Sequence, residues 1–209
     1  KVYAEPFWQL VKTGSRWRWP VARAPFEAQP SEEAKQFFEH WANRLHDIEN
    51  KTVRDDGFIY MPLQGKLLRH RSFQTMSPAE MIQTTLAQSH LLVRATLHPN
   101  ENYSKAELDL LKEISALDNR FKLVEMPMEK ALESCSYVVT ENSSAGFHAF
   151  FYQKPVILFA EIDFHHICLR VREKGVEAVF EKITKHQPDF SGYVHWFWSN
   201  HAINVEDAN

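Results

Sequence analysis

The chain has 209 residues, enough for one large domain or one domain with an extension, and its 44% apolar against 24% charged residues is the balance of a globular protein with a core. Its 24 Lys and Arg against 27 Asp and Glu give a net charge of −3, which excludes the basic face a nucleic-acid partner demands; the one dense basic stretch, Lys66 to Arg71, is short. Cys135 and Cys168 are the only cysteines, too few for a disulfide framework, so a reducing, cytoplasmic setting is expected. Neither a leader pattern nor an apolar run of roughly 18 residues is present, so no membrane span is expected.

In chain order, residues 1 to about 30 read as an irregular arm. Pro6, Pro20, Pro25 and Pro30 oppose a long helix, while Trp8, Trp17 and Trp19 are too apolar for a free tail, so the arm is expected to dock on something. Ser31 caps a helix with Glu32 and Glu33 in its first turn, and Phe37, Phe38, Trp41 and Leu45 recur at helical spacing up to about Glu49. From Gly57 the pattern changes. Phe58–Met61, ending at Pro62, is a buried-strand pattern, and further strands are expected at Leu91–Leu97, Phe121–Val124, Tyr137–Thr140 and Val156–Phe159. Helices are expected after Ser77-Pro78, after Ser104, over Pro127–Ser134, Ser143–Tyr152 and Val176–Lys185, and from Tyr193 to the end. This alternation predicts an α/β chain: a Rossmann-like parallel sheet with helices on both faces over 57–209, preceded by an arm and helix over 1–56. Ligands of such folds bind at the carboxyl ends of the strands.

Four polar loops follow strands. The first holds Gln64, Lys66, Arg69, Arg71 and Gln74, donors suited to phosphate or carboxylate. The second is His98-Pro99, where an imidazole N–H could donate to a departing phosphate; a structural histidine at a turn is the competing explanation. The third, Glu141-Asn142-Ser143-Ser144, opens a helix whose free N–H groups favour an anion, though an ordinary cap accounts for one of these residues. The fourth is Glu161-Ile162-Asp163-Phe164-His165-His166. Adjacent histidines without partners at zinc spacing argue against a metal, and no metal or other cofactor is expected; His148, inside a helix, reads as structural. Walker, GxGxxG and GxSxG patterns are absent.

The segment YVVTENSSAGFHAFFYQKPVILFAEIDFHH, Tyr137 to His166, together with Pro62-Leu63-Gln64 and His98-Pro99 upstream, resembles the C-terminal, donor-binding half of GT-B glycosyltransferases of bacterial capsule polysaccharide biosynthesis, especially the β-Kdo transferase group. The likeness covers about residues 57 to 167. It implies a CMP-linked donor such as CMP-Kdo, a glycan or lipid-linked acceptor, a second domain or partner chain, and a place at the inner face of the bacterial membrane, peripheral at most. By that likeness His98, Gln64 and Glu141 are the catalytic candidates. His98, Asn142, Ser143, Ser144, Arg69, Arg71 and Asp163 would hold donor phosphate or nucleotide. The family carries an Asp shortly after the glutamine, whereas Gly65-Lys66-Leu67-Leu68-Arg69 has no acid, so a base would have to come from Glu141 or Asp163. Two alternatives stand beside the transferase: a CDP-glycerol-type glycerophosphotransferase, and a non-catalytic module that binds a nucleotide sugar or glycan.

Overall fold

The computed structural model describes residues 1–27 and 30–207. Six parallel strands form the central sheet: β1 (Phe58–Leu63), β2 (Leu92–Leu97), β3 (Phe121–Leu123), β4 (Tyr137–Thr140), β5 (Val156–Leu158) and β6 (Leu169–Arg170). Their spatial order is β3-β2-β1-β4-β5-β6, the doubly wound Rossmann arrangement, in which the winding reverses between β1 and β4. Every residue of β1 is buried, as a central strand covered on both faces requires.

The helices start where local chemistry dictates. Ser77 and Ser104 each form a reciprocal capping box, with Glu80 and Glu107, at the heads of α2 (Pro78–Gln88) and α3 (Lys105–Leu117). Ser31 accepts the Ala34 amide at 3.1 Å to cap α1 (Glu32–His46), which ends at Asp47 in left-handed geometry, a little before the expected boundary. Of the helices that remain, those of five or more residues are α4 (Met128–Ser134), α5 (Ala145–Ala149), α6 (Val176–Lys182) and α7 (Phe190–His201).

Strand alternation splits the core into two layers. Ile59, Met61, Val93, Val139 and Ile157 face α2, α3 and α6; Phe58, Tyr60, Val138, Val156 and Leu158 face α1, α5 and α7. The arm completes the second layer. Val2, Ala4, Phe7, Trp19 and Val21 are buried in it, and Phe7 stacks on Trp198 at 4.1 Å. Residues 1–56 thus share their core with the sheet. Outside two single turns, Arg16–Arg18 and Pro20–Arg23, the arm's regular structure is Phe7–Trp8, which pairs antiparallel with Ile203–Asn204. Among the described residues, no helix is long and apolar enough to cross a membrane.

Candidate functional site at the crossover of the sheet

The ladder between β1 and β4 runs only through Ile59–Tyr137 and Tyr60–Val138, whereas β1 stays paired with β2 to Leu63. Pro62 contributes no N–H to the ladder, and the two strands part at their carboxyl ends. Into this crossover opens a cleft of 430 Å³. The strand tips supply Gln64, Asn142 and Ser144; the arm closes the other side with Tyr3, Arg16 and Trp17.

Arg16 is held from behind. One guanidinium nitrogen lies 3.4 Å from the Asp163 carboxylate and the other donates to the Lys1 carbonyl at 3.3 Å, over the rings of Tyr3 and Trp19. Asp163 is fully buried and also accepts the Tyr3 hydroxyl. Burial raises its pKa to about 6, against the hydrogen bond from Tyr3 and the charge of Arg16, which pull it down. Asp163 therefore ties the arm to the β5 loop rather than facing the cleft.

Residues of the β4 loop chosen together from sequence separate in space. The Ser143 amide donates to Thr140 Oγ1 at 3.3 Å, and the Ser143 hydroxyl accepts the Ala145 amide at 3.3 Å, so this buried residue is occupied in shaping the turn. Ser144 is exposed and Asn142 half-buried, and both reach the cleft. Glu141 points inward. It is 2% exposed, neither carboxyl oxygen makes a well-formed hydrogen bond among the described residues, and burial pushes its pKa up to about 9 against the Arg71 charge and the nearby Gln74 amide. A carboxyl held this high favours its protonated form at neutral pH, which weighs against Glu141 as a general base.

His98 lies outside the cleft lining, at the exposed tip of β2. One strand separates it from the β4 loop, which places the two tips ~10 Å apart at sheet spacing. Its amide donates to the Leu63 carbonyl at 3.1 Å and the Tyr103 hydroxyl at 2.9 Å, which fixes the turn. Its Nδ1 accepts the Asn100 amide at 3.2 Å, so the neutral ring carries its proton on Nε2, free to donate outward. Arg69 is exposed and is not among the residues lining the cleft; Arg71 lies over Phe73 at 4.8 Å, its backbone amide bonded to Gln74 Oε1 at 2.7 Å. In the fourth loop His165 and His166 stack at 4.3 Å, and both nitrogens of His166 are taken by Tyr193 and the Ala24 carbonyl. His148 shares a 3.0 Å contact with His46 inside the helical layer.

Sequence reasoning missed Tyr3, Arg16 and Trp17. The signal available was the arm's aromatic density, which pointed to docking; that the docking surface is the ligand edge of the sheet depends on contacts such as Tyr3–Asp163, 160 residues apart.

No protein-family model matches the chain, and no curated protein matches it. Among solved structures it is similar to the β-Kdo 2,7 transferase KpsC of Thermosulfurimonas dismutans, at 13% identity over 86% of this chain and 61% of that one, with a TM-score of 0.50. The UDP-GlcNAc 2-epimerase of Methanocaldococcus jannaschii, in complex with UDP-GlcNAc and UDP, is 15% identical over 78% of this chain and 46% of its own, with a TM-score of 0.40. The MnaA–UDP structure of S. aureus is 12% identical over 84% of this chain and 49% of its own, with a TM-score of 0.42. The chain thus spans less than two thirds of each of these proteins. What the KpsC likeness establishes is the architecture: this chain has the Rossmann-like, GT-B glycosyltransferase-type fold.

Proposed function

We propose that this chain is the donor-binding domain of a glycosyltransferase that takes a sugar, Kdo or a relative of it, from a CMP-linked donor and passes it to a bacterial surface glycan. The observation that carries this reading is the crossover cleft. It sits where doubly wound sheets bind nucleotides, and it combines the Asn142 amide, the Ser144 hydroxyl and the Arg16 guanidinium with, among the described residues, no carboxylate on its lining, a donor-rich environment for phosphate. The transfer breaks the bond between the anomeric carbon and the phosphate oxygen. That oxygen leaves with CMP, and an acceptor hydroxyl oxygen takes its place on the sugar, its proton passing to solvent. His98 Nε2–H, one strand away, donates to the departing phosphate, while Gln64 lies beside the reacting sugar. A second domain or partner chain supplies the acceptor site.

One observation favours a second reading, a module that binds the nucleotide sugar without turnover. Among the described residues the cleft lining holds no carboxylate, and Glu141, the nearby acid, is buried with its pKa pushed up to about 9. Thermal-shift titration with CMP, CDP, UDP and GDP tests binding; a cytidine nucleotide is expected to raise the melting temperature by mass action, and no shift with any of the four would end both readings. CMP release from CMP-Kdo, measured beside release from CDP-glycerol, tests turnover. Binding without release selects the module; release from CDP-glycerol alone selects a glycerophosphotransferase. Where turnover occurs, His98→Ala is expected to cost about 2–4 kcal/mol of transition-state stabilisation, and an unchanged rate removes His98 from the mechanism.

A further inference from the structure

A second cleft, of 270 Å³, lies beside the first at the carboxyl ends of β5 and β6. Trp17 and Ile162 form a wall common to both. The two clefts differ in charge. Among the described residues the crossover cleft is lined by Lys1 and Arg16 and by no acid, the Asp163 partner of Arg16 lying buried behind it, whereas the second is lined by two ion pairs, Arg172 with Glu161 at 2.7 Å and Arg170 with Glu173. The second cleft is therefore polar but charge-balanced, and burial keeps its His165 neutral by lowering the pKa. Thr75 also lines it, its hydroxyl buried beneath the surface with no hydrogen-bond partner among the described residues. One face of Trp17 is stacked on Phe73 at 4.8 Å, itself backed by the Arg71 guanidinium at 4.8 Å; among the described residues its other face has no aromatic partner.

We infer that Arg16 and Trp17, neighbours on the arm, divide one nucleoside phosphate between the two clefts: Arg16 holds the phosphate in the cationic cleft, and Trp17 offers the indole face turned away from Phe73 to the uncharged nucleoside in the balanced one. An anion gains from the first cleft and not from the second. A flat base gains from a braced indole, and nucleoside hydroxyls or amino groups can use the paired carboxylates and the idle Thr75 hydroxyl. The inference rests on the donor-binding reading and adds which residues recognise which part of the donor. The rigid arm becomes a specificity element, in which a residue of the sequence's least regular segment reads the ligand.

Calorimetric titration of the full chain with CMP and with inorganic pyrophosphate tests it. Arg16→Gln is expected to weaken both ligands at least tenfold. Trp17→Ala is expected to weaken CMP at least tenfold, ~1.4 kcal/mol, and to leave pyrophosphate unchanged. Trp17→Phe, which keeps a stacking face, should hold CMP within a few fold. Thr75→Val, isosteric and removing an unpartnered hydroxyl, serves where Trp17→Ala does not fold, and is expected to lower CMP affinity severalfold without touching pyrophosphate. If wild type binds CMP while Trp17→Ala and Thr75→Val bind it equally well, the inference fails and the donor-binding reading stands. Equal losses of CMP and pyrophosphate in Trp17→Ala would make Trp17 a prop for the arm and overturn its role in reading the nucleoside. If wild type binds no CMP, both fall.

Discussion

Asp163 and Glu141 are both buried carboxyl groups on neighbouring strand tips, and they have opposite fates. Asp163 meets the Tyr3 hydroxyl and the Arg16 guanidinium, and its pKa rises only to about 6; Glu141 makes no well-formed hydrogen bond among the described residues, and its pKa rises to about 9. Burial acts on both in the same direction, so the partners the arm brings make the difference. At neutral pH Asp163 is an ion that anchors the arm, and Glu141 is a neutral acid sealed behind the β1–α2 loop.

Removing the anchor should have the largest effect. Asp163→Ala leaves the Tyr3 hydroxyl and the Arg16 charge without their shared partner and is expected to cost about 2–3 kcal/mol in denaturant unfolding, the low side for a broken buried pair because Arg16 keeps some contact with water. Asp163→Asn, which can still accept from Tyr3, should cost much less; equal losses for the two variants would mean that the pairing does not matter.

The next effect is in pH. A carboxyl whose folded pKa is raised holds its proton more tightly folded than unfolded, so its contribution to stability is present below the unfolded pKa and is lost as pH rises to the folded one. For Asp163 that loss runs through pH 6 and is complete about one unit above it; for Glu141 it runs on through about 9. His46, His148 and His166, with pKa values lowered to about 3, 4 and 4 by burial, are neutral in both states above about pH 7.5 and drop out. Between pH 7.5 and 8.5 Glu141 should lower the unfolding free energy of wild type by about 1.4 kcal/mol per pH unit, on top of a fall from Cys135 and Cys168, whose thiols burial holds protonated, and Glu141→Gln should remove the Glu141 share of the slope. An unchanged slope in the variant would show Glu141 to be ionised.

The smallest effect is that of Tyr3→Phe, which removes one of the two donors to Asp163 and is expected to cost about 1 kcal/mol. It should also raise the pKa of Asp163 further, since the Tyr3 hydrogen bond holds it down. A downward move, followed by NMR of the carboxyl carbon, would contradict the anchor.

These comparisons also mark where sequence reading stops. The Ser77 and Ser104 capping boxes and the strands from Phe58, Tyr137 and Val156 are local patterns, visible within a few residues. β6 is only Leu169–Arg170, too short to register as a period, and was not anticipated. The β4 loop was legible as a polar turn at a helix head, but not that the Thr140 hydroxyl would occupy the Ser143 amide while Ser144 stayed open. Nor could spacing distinguish Asp163, which grips the arm, from a ligand-facing acid, because its partners come from the other end of the chain.

The central claim is that the arm-closed crossover cleft receives the phosphate of the donor. A crystal structure of the chain with CMP tests it most directly. The account predicts the phosphate within hydrogen-bond distance of the Asn142 and Ser144 side chains and the Arg16 guanidinium; a phosphate seated away from all three, with the crossover cleft filled by solvent, would contradict it.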